Sequence, residues 1–212
     1  MIAVPEVTAR APHARRTAGY AGLLAVAGNL LGVLFLHAMP SAYRLARLGE
    51  WELAVRAQPA STLASAVSFS VGLVALGAWV GELGRVAGTG AARFGASVAG
   101  LGALLNAAGS LLPIVPALGP GTGTSLLRAS LTIDALFNLG LGVGLLCIAW
   151  QLRNATGVRL LALAAGALSV PVAGQALWDG AASLLYVAAP LWLALILVTS
   201  VAWLRSHALT RA

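Results

Sequence analysis

The sequence predicts an all-α fold, a polytopic transmembrane bundle of six helices, and three observations carry that prediction. Only 9% of the 212 residues are charged and 59% are hydrophobic, whereas a soluble domain carries roughly 25% charged residues. The apolar residues fall in long blocks, and mean hydropathy is +0.91. Six blocks reach the ~20 residues that a helix needs to cross a ~30 Å hydrocarbon core, at about 19–39, 61–81, 94–112, 131–152, 158–177 and 182–204. They use most of the chain and leave no room for a separate soluble domain. Residues 1–18 then read as a basic cytoplasmic tail, 19–204 as the membrane domain and 205–212 as a second cytoplasmic tail.

Charge fixes the expected orientation. All basic residues are Arg, and the net charge is +7. They sit in short loops and tails rather than on one face of a domain, which points to topology and not to nucleic acid as a partner. With the N-terminus inside, Arg10, Arg15, Arg16, Arg85, Arg93, Arg153, Arg159, Arg205 and Arg211 lie on the inner side, and Arg44, Arg47, Arg56 and Arg128 on the outer. The positive-inside rule therefore places both termini in the cytoplasm, with the protein multi-pass in the inner membrane of a bacterium. Trp79, Trp150, Trp178 and Trp203 stand at the expected helix ends, as aromatic belts require.

The first segment is longer than the 7–15-residue apolar core of a signal peptide, and HAMPSAY after it offers no small-x-small cleavage site. It is expected to be retained as a helix, with Gly28 and Gly32 forming a close-packing face. In the loop that follows, Leu45, Leu48, Trp51 and Val55 recur at helical spacing, bracketed by Pro40 and Pro59. Glu52 and Arg56 stand at i, i+4 in the favourable order. This stretch predicts a short amphipathic helix lying in the outer interface, with a lid over a pocket as the sharper alternative.

Helix two offers Ser61, Ser65, Ser68 and Gly72 on one side. In helix three, Gly95, Ala99, Gly102, Asn106, Gly109 and Pro113 follow steps of 4, 3, 4, 3 and 4. Lipid supplies no hydrophobic drive between helices, so association rests on van der Waals contact and interhelical hydrogen bonds, and interfaces collect small residues. Helix four carries Gly140 and Gly144 in the same role. Such faces suit packing within the chain, and equally a homodimer or a partner membrane subunit. The loop ALGPGTGTSLL lacks the Gly-Lys-Ser/Thr of a phosphate loop. The short connection RNATGVR predicts a tight hairpin between helices four and five. Pro171 and Pro190 fall inside helices five and six, where neighbouring groups can satisfy the carbonyls they free.

The segment SLTIDALFNLG holds the one feature that points to function. Asp134 and Asn138 share a face one turn apart, and a helix entering near Leu131 puts Asp134 ~5 Å below the boundary. His37, Asn106 and Gln175 fall in the same outer half-layer, and Asn29 near mid-membrane. The expectation is a protein-lined polar pocket at Asp134, Asn138, His37, Asn106 and Gln175, with His37, then Arg128, as the partner of the carboxylate. The competing reading is a first-turn carboxylate complementing the helix dipole. Cys147 is the only cysteine, which excludes a disulfide within the chain and a cysteine metal cluster. No metal, no other cofactor and no catalytic residue is expected, because the membrane segments lack converging reactive groups. The expected function is non-enzymatic: binding or permeation of a small neutral or weakly polar solute. The alternative is a membrane-embedded, anti-sigma-like regulator that holds a cytoplasmic partner.

Overall fold

A chain this apolar satisfies its backbone in oil only by coiling, since each helix bonds its own amides internally. The computed structural model describes residues 11–36, 47–119, 123–152, 155–175, 177 and 179–209. Among them every element is helical. In order these are α1 (Ala11–Phe35), α2 (Leu48–Ala57), α3 (Pro59–Ala87), α4 (Gly90–Gly109), α5 (Ile114–Leu118), α6 (Thr124–Gln151), α7 (Thr156–Val172) and α8 (Asp179–Leu209). Five helical spans are long and apolar enough to cross a membrane: α1, α3, α4 continued through α5, α6 and α8. α7, at 17 residues, is apolar but shorter.

Six helices pack in a closed ring, α1 on α3, α3 on α4, α4 on α6, α6 on α7, α7 on α8 and α8 back on α1. Each contact is antiparallel. Gly28 lies against Gly72 and Gly32 against Phe69; Gly84 meets Ala92, and Gly95 meets Gly144; Gly142 meets Gly166, and Gly19 meets Leu204. Apolar side chains also cover the outside: Val33, Leu34, Phe94, Leu101, Leu160 and Tyr186 are all exposed. An apolar exterior of this kind needs a bilayer around it.

Backbone meets backbone closely where α4 crosses α6. A Cβ on Gly144 would stand 2.5 Å from the Gly95 carbonyl oxygen and 2.7 Å from the Ala99 Cβ, and one on Gly95 would stand 2.8 Å from the Gly144 oxygen. Here the backbones touch, which only glycine permits. Further along the same seam Gly102 faces Phe137, Gly109 faces Ile133 and Gly140 faces Val98. A Cβ on Gly28, Gly32, Gly95, Gly102, Gly109, Gly140 or Gly144 would in each case lie within 4 Å of a neighbouring helix, and serines of helix two add hydrogen bonds. Ser65 donates to the Gly32 carbonyl at 2.9 Å, and Ser61 to that of Phe35.

Several expectations are corrected. Trp79 is not a belt residue: α3 runs two turns past it to Ala87, so it is 1% exposed, donates to Thr199 Oγ1 at 3.1 Å and packs on the buried Trp203. Trp150, by contrast, is 65% exposed near the end of α6. Trp178 lies outside the described residues. Pro171 does lie inside α7, but one residue from its end. α7 stops at Val172, and residues 173–175 continue in turns whose amides reach back three residues. The small-residue face of helix three ends at Gly109, because residues 110–113 form turns and Pro113 leads into α5. α1 begins at Ala11, eight residues before the apolar run, with Arg16 stacked on Tyr20.

Backbone chemistry sets the α3–α4 turn. Gly88, at φ 81°, is the one positive-φ residue among those described, and its N–H returns to the Gly84 carbonyl. Thr89 then caps α4 by accepting from the Ala92 N–H.

The seam predicts an asymmetry between glycines. Gly144→Ala should destabilise the protein by about 1–3 kcal/mol through overpacking. Gly81→Ala, where a Cβ meets nothing within 4 Å, should be neutral or stabilising by up to ~1 kcal/mol. Thermal melts of the two variants in detergent check this.

Candidate functional site

The Asp134 site is built by three elements. α6 supplies Asp134 and Asn138, α4 supplies Asn106, and the turn after α7 supplies Gln175. Asn106 Nδ2 donates to Asp134 Oδ1 at 2.8 Å. Asn138 Nδ2 donates to Oδ2 at 3.2 Å and to the Asp134 carbonyl at 2.9 Å. Gln175 Nε2 also donates to Oδ2. Asn106, Asn138 and Gln175 are buried and Asp134 is half-buried. Three amide N–H groups thus bracket one carboxylate, as removal of a charge from water demands.

Local sequence explains the convergence. Asn106 lies on the small-residue face of α4 that presses against α6, so the same close approach that needs Gly95 and Gly144 brings its amide to Asp134. Gln175 arrives because α7 is short. Gly166 pairs with Gly142, so α7 ends level with the middle of α6, and the α7–α8 connection lies beside Asp134 instead of at the rim. The first ten residues of α6 consequently overhang α7 by ~15 Å.

The first-turn reading of Asp134 is corrected by the same fact. α6 begins at Thr124 with no acidic residue in its first turn, so Asp134 stands ten residues in, beyond reach of the N-terminal dipole charge, which acts within one turn. Arg128 is exposed. His37 lies outside the described residues. Asn29 stays apart from the cluster: its Nδ2 donates to the Ala25 carbonyl at 2.8 Å, at the α1–α3 crossing.

One contributor that the sequence did not point to as part of this neighbourhood is the Glu52–Arg56 pair. α2 turns Leu48, Trp51 and Val55 onto Leu127 and Leu131 of α6, with Leu36 and Ala117 beside them. Leu48, Trp51 and Val55 of the expected stripe face protein, and Leu45 lies outside the described residues. Leu127, Leu131, Asp134 and Asn138 follow steps of 4, 3 and 4, so α2 covers the α6 face that carries the cluster. The helix is fixed electrostatically. Arg56 holds Glu52 through Nε and Nη2 and donates Nη1 to the Gly119 carbonyl at 2.8 Å. Glu52 takes the backbone N–H groups of Gly123 and Thr124, the orphan donors at the start of α6. These backbone hydrogen bonds, and then the Arg56 side chain, hold its carboxyl below the usual value of 4.5. Glu52 thus acts at the start of α6, and Arg56 at Gly119, the residue that ends α5.

Among the described residues no three His, Cys, Asp or Glu side chains gather as metal ligands. Cys147 is half-buried at the α4–α6 crossing, against Gly95. Comparison with protein-family models, curated proteins and solved structures gives no match.

Two outcomes are expected. Asp134→Ala leaves the buried amides of Asn106 and Gln175 without their acceptor, while Asn138 keeps the backbone carbonyl of residue 134, and should cost about 1–3 kcal/mol, measured by thermal unfolding in detergent. Glu52→Gln should lower the melting temperature at pH 7. A depressed folded pKa stabilises above the unfolded value and is lost as pH falls through the folded one, so wild type and variant should converge below pH 4.5.

Proposed function

We propose that this is a six-span protein of the bacterial inner membrane with both termini in the cytoplasm, and that it binds or permeates a small neutral or weakly polar solute at an outward-facing pocket lined by Asp134, Asn138, Asn106 and Gln175. The observation that carries the reading is the bracketed carboxylate. An ionisable side chain within a membrane segment is expensive to keep and by default marks a site. Asp134 stands within about one turn of the midpoint of α6, so the cost falls where lipid is driest. Amides around it offer both donors and acceptors, which suits a neutral polar solute more than a bare ion.

The surroundings support binding in preference to an open pore. Past Asn138 the same α6 face continues as Leu141 and Leu145, both buried, and Leu76 and Ile196 are buried in the same core. α7 ends before the α2 end of α6, so entry of the solute is assigned to that side. α7, continued by its turn, serves as the sixth span in this reading, and α2 lies at the outer surface over α6 as a cover. No residue is assigned a catalytic role and no cofactor is required.

A cysteine scan tests the pocket. In a Cys147→Ser background, cysteine at position 134 should react with a water-soluble thiol reagent applied from outside the cell, more slowly than an exposed control at Arg128. Complete protection at 134 while the control labels would sink the reading.

A further inference from the structure

The end of the bundle opposite α2 carries a different chemistry. Antiparallel pairing brings the start of α1, the end of α3, the start of α4, the start of α7 and the end of α8 to one level. Those segments hold Arg15, Arg16, Arg85, Arg93, Arg159 and Arg205. The acidic side chain described there is Glu82, which pairs with Arg85. At the α2 end Arg47 and Arg56 are each paired with a glutamate, and Arg128 is exposed.

Three details narrow the partner. Tyr20 is 54% exposed and Trp150 is 65% exposed at this same end, and such amphipathic rings settle at the headgroup level of a bilayer. Arg16 stacks its guanidinium on Tyr20 with 5.7 Å to the ring centroid, which fixes a cation at that height. Arg15 and Arg159 are half-buried, and each has a buried Nε that makes no hydrogen bond. Their apolar stems therefore lie along the helices while the guanidinium heads meet no carboxylate among the described residues, an arrangement that places planar donors where lipid phosphates sit.

We infer that this arginine collar is a docking surface for anionic phospholipid headgroups, with Arg15 and Arg159 gripping phosphate between helices and Arg16, Arg93 and Arg205 supplying the surrounding field. It is separate from the Asp134 site and does not depend on what that site binds. Neutral headgroups bring each phosphate with its own ammonium, so a surplus of unpaired arginines selects lipids of net negative charge.

The test is lipid competition on the full chain. Protein equilibrated in mixed micelles of detergent, phosphatidylcholine and phosphatidylglycerol is repurified, and its retained lipid is measured by mass spectrometry. Phosphatidylglycerol should be enriched on the order of fivefold over its input share. Arg15→Gln/Arg159→Gln should lose most of that enrichment, and Asp134→Asn should keep it. If the double variant does not fold, Arg16→Gln/Arg205→Gln, at exposed positions, should reduce the enrichment in its place. Retention in proportion to input overturns the proposal, as does enrichment unchanged in whichever arginine variant folds. Inorganic phosphate is added as a separate arm. If it displaces phosphatidylglycerol at millimolar concentration, the collar is a site for free anions and the lipid assignment fails.

Discussion

Close backbone contact at glycine is the interaction on which the structure depends. In lipid, apolar side chains gain nothing by leaving one helix surface for another, so helices associate where their backbones can approach and dispersion contacts multiply. The α4–α6 seam, with Gly95 against Gly144, and the α1–α3 crossing, with Gly28 against Gly72, set the spacing of the ring. Gly142 against Gly166 fixes how far α7 travels along α6. The polar site follows from the first and third of those crossings. Asn106 reaches Asp134 across the first seam, and Gln175 reaches it because the third ends α7 early.

That arrangement also explains how the bundle holds a carboxylate. Charge in a membrane is tolerated when donors replace the lost water, and here they come from three separate stretches of chain. No one helix could supply them: on α6 only Asn138 is placed to reach back to Asp134. The cluster therefore ties α4, α6 and the α7–α8 turn together, so a polar group that would be a liability on an isolated helix becomes a cross-link in the ring. A second tie acts at the α2 end, where Glu52 satisfies the free amides of α6 and Arg56 holds the Gly119 carbonyl. The two ends of the bundle thus differ among the described residues: at one, Arg47 and Arg56 each meet a glutamate, and at the other only Arg85 does.

Much of the fold was legible because hydropathy and small-residue spacing are local properties. The long apolar blocks became helices, and the steps of 3 and 4 through Gly95, Ala99, Gly102 and Asn106 marked the face that packs on α6. Helix ends were less legible. α3 and α6 each extend well beyond their most apolar cores, which is why Trp79 proved buried and why Asp134 proved to be ten residues into its helix. Propensity continues a helix past the apolar run wherever tertiary neighbours cover it, and hydropathy alone does not register that cover.

By itself the sequence determined that the chain is helical, apolar on its outside as well as its inside, and biased in charge toward one end, because composition and short-range periodicity dictate these. It also named Asp134, Asn138, Asn106 and Gln175 as residues whose burial needed a reason. Only tertiary structure decided that these four meet at one carboxylate and that Asn29 does not join them. It likewise decided that the apolar stripe of α2 faces α6 and that Glu52 caps a helix some seventy residues away. The physical reason is the same in each case: which donor meets which acceptor depends on the register of helix crossings, and register is set by how closely distant backbones can approach.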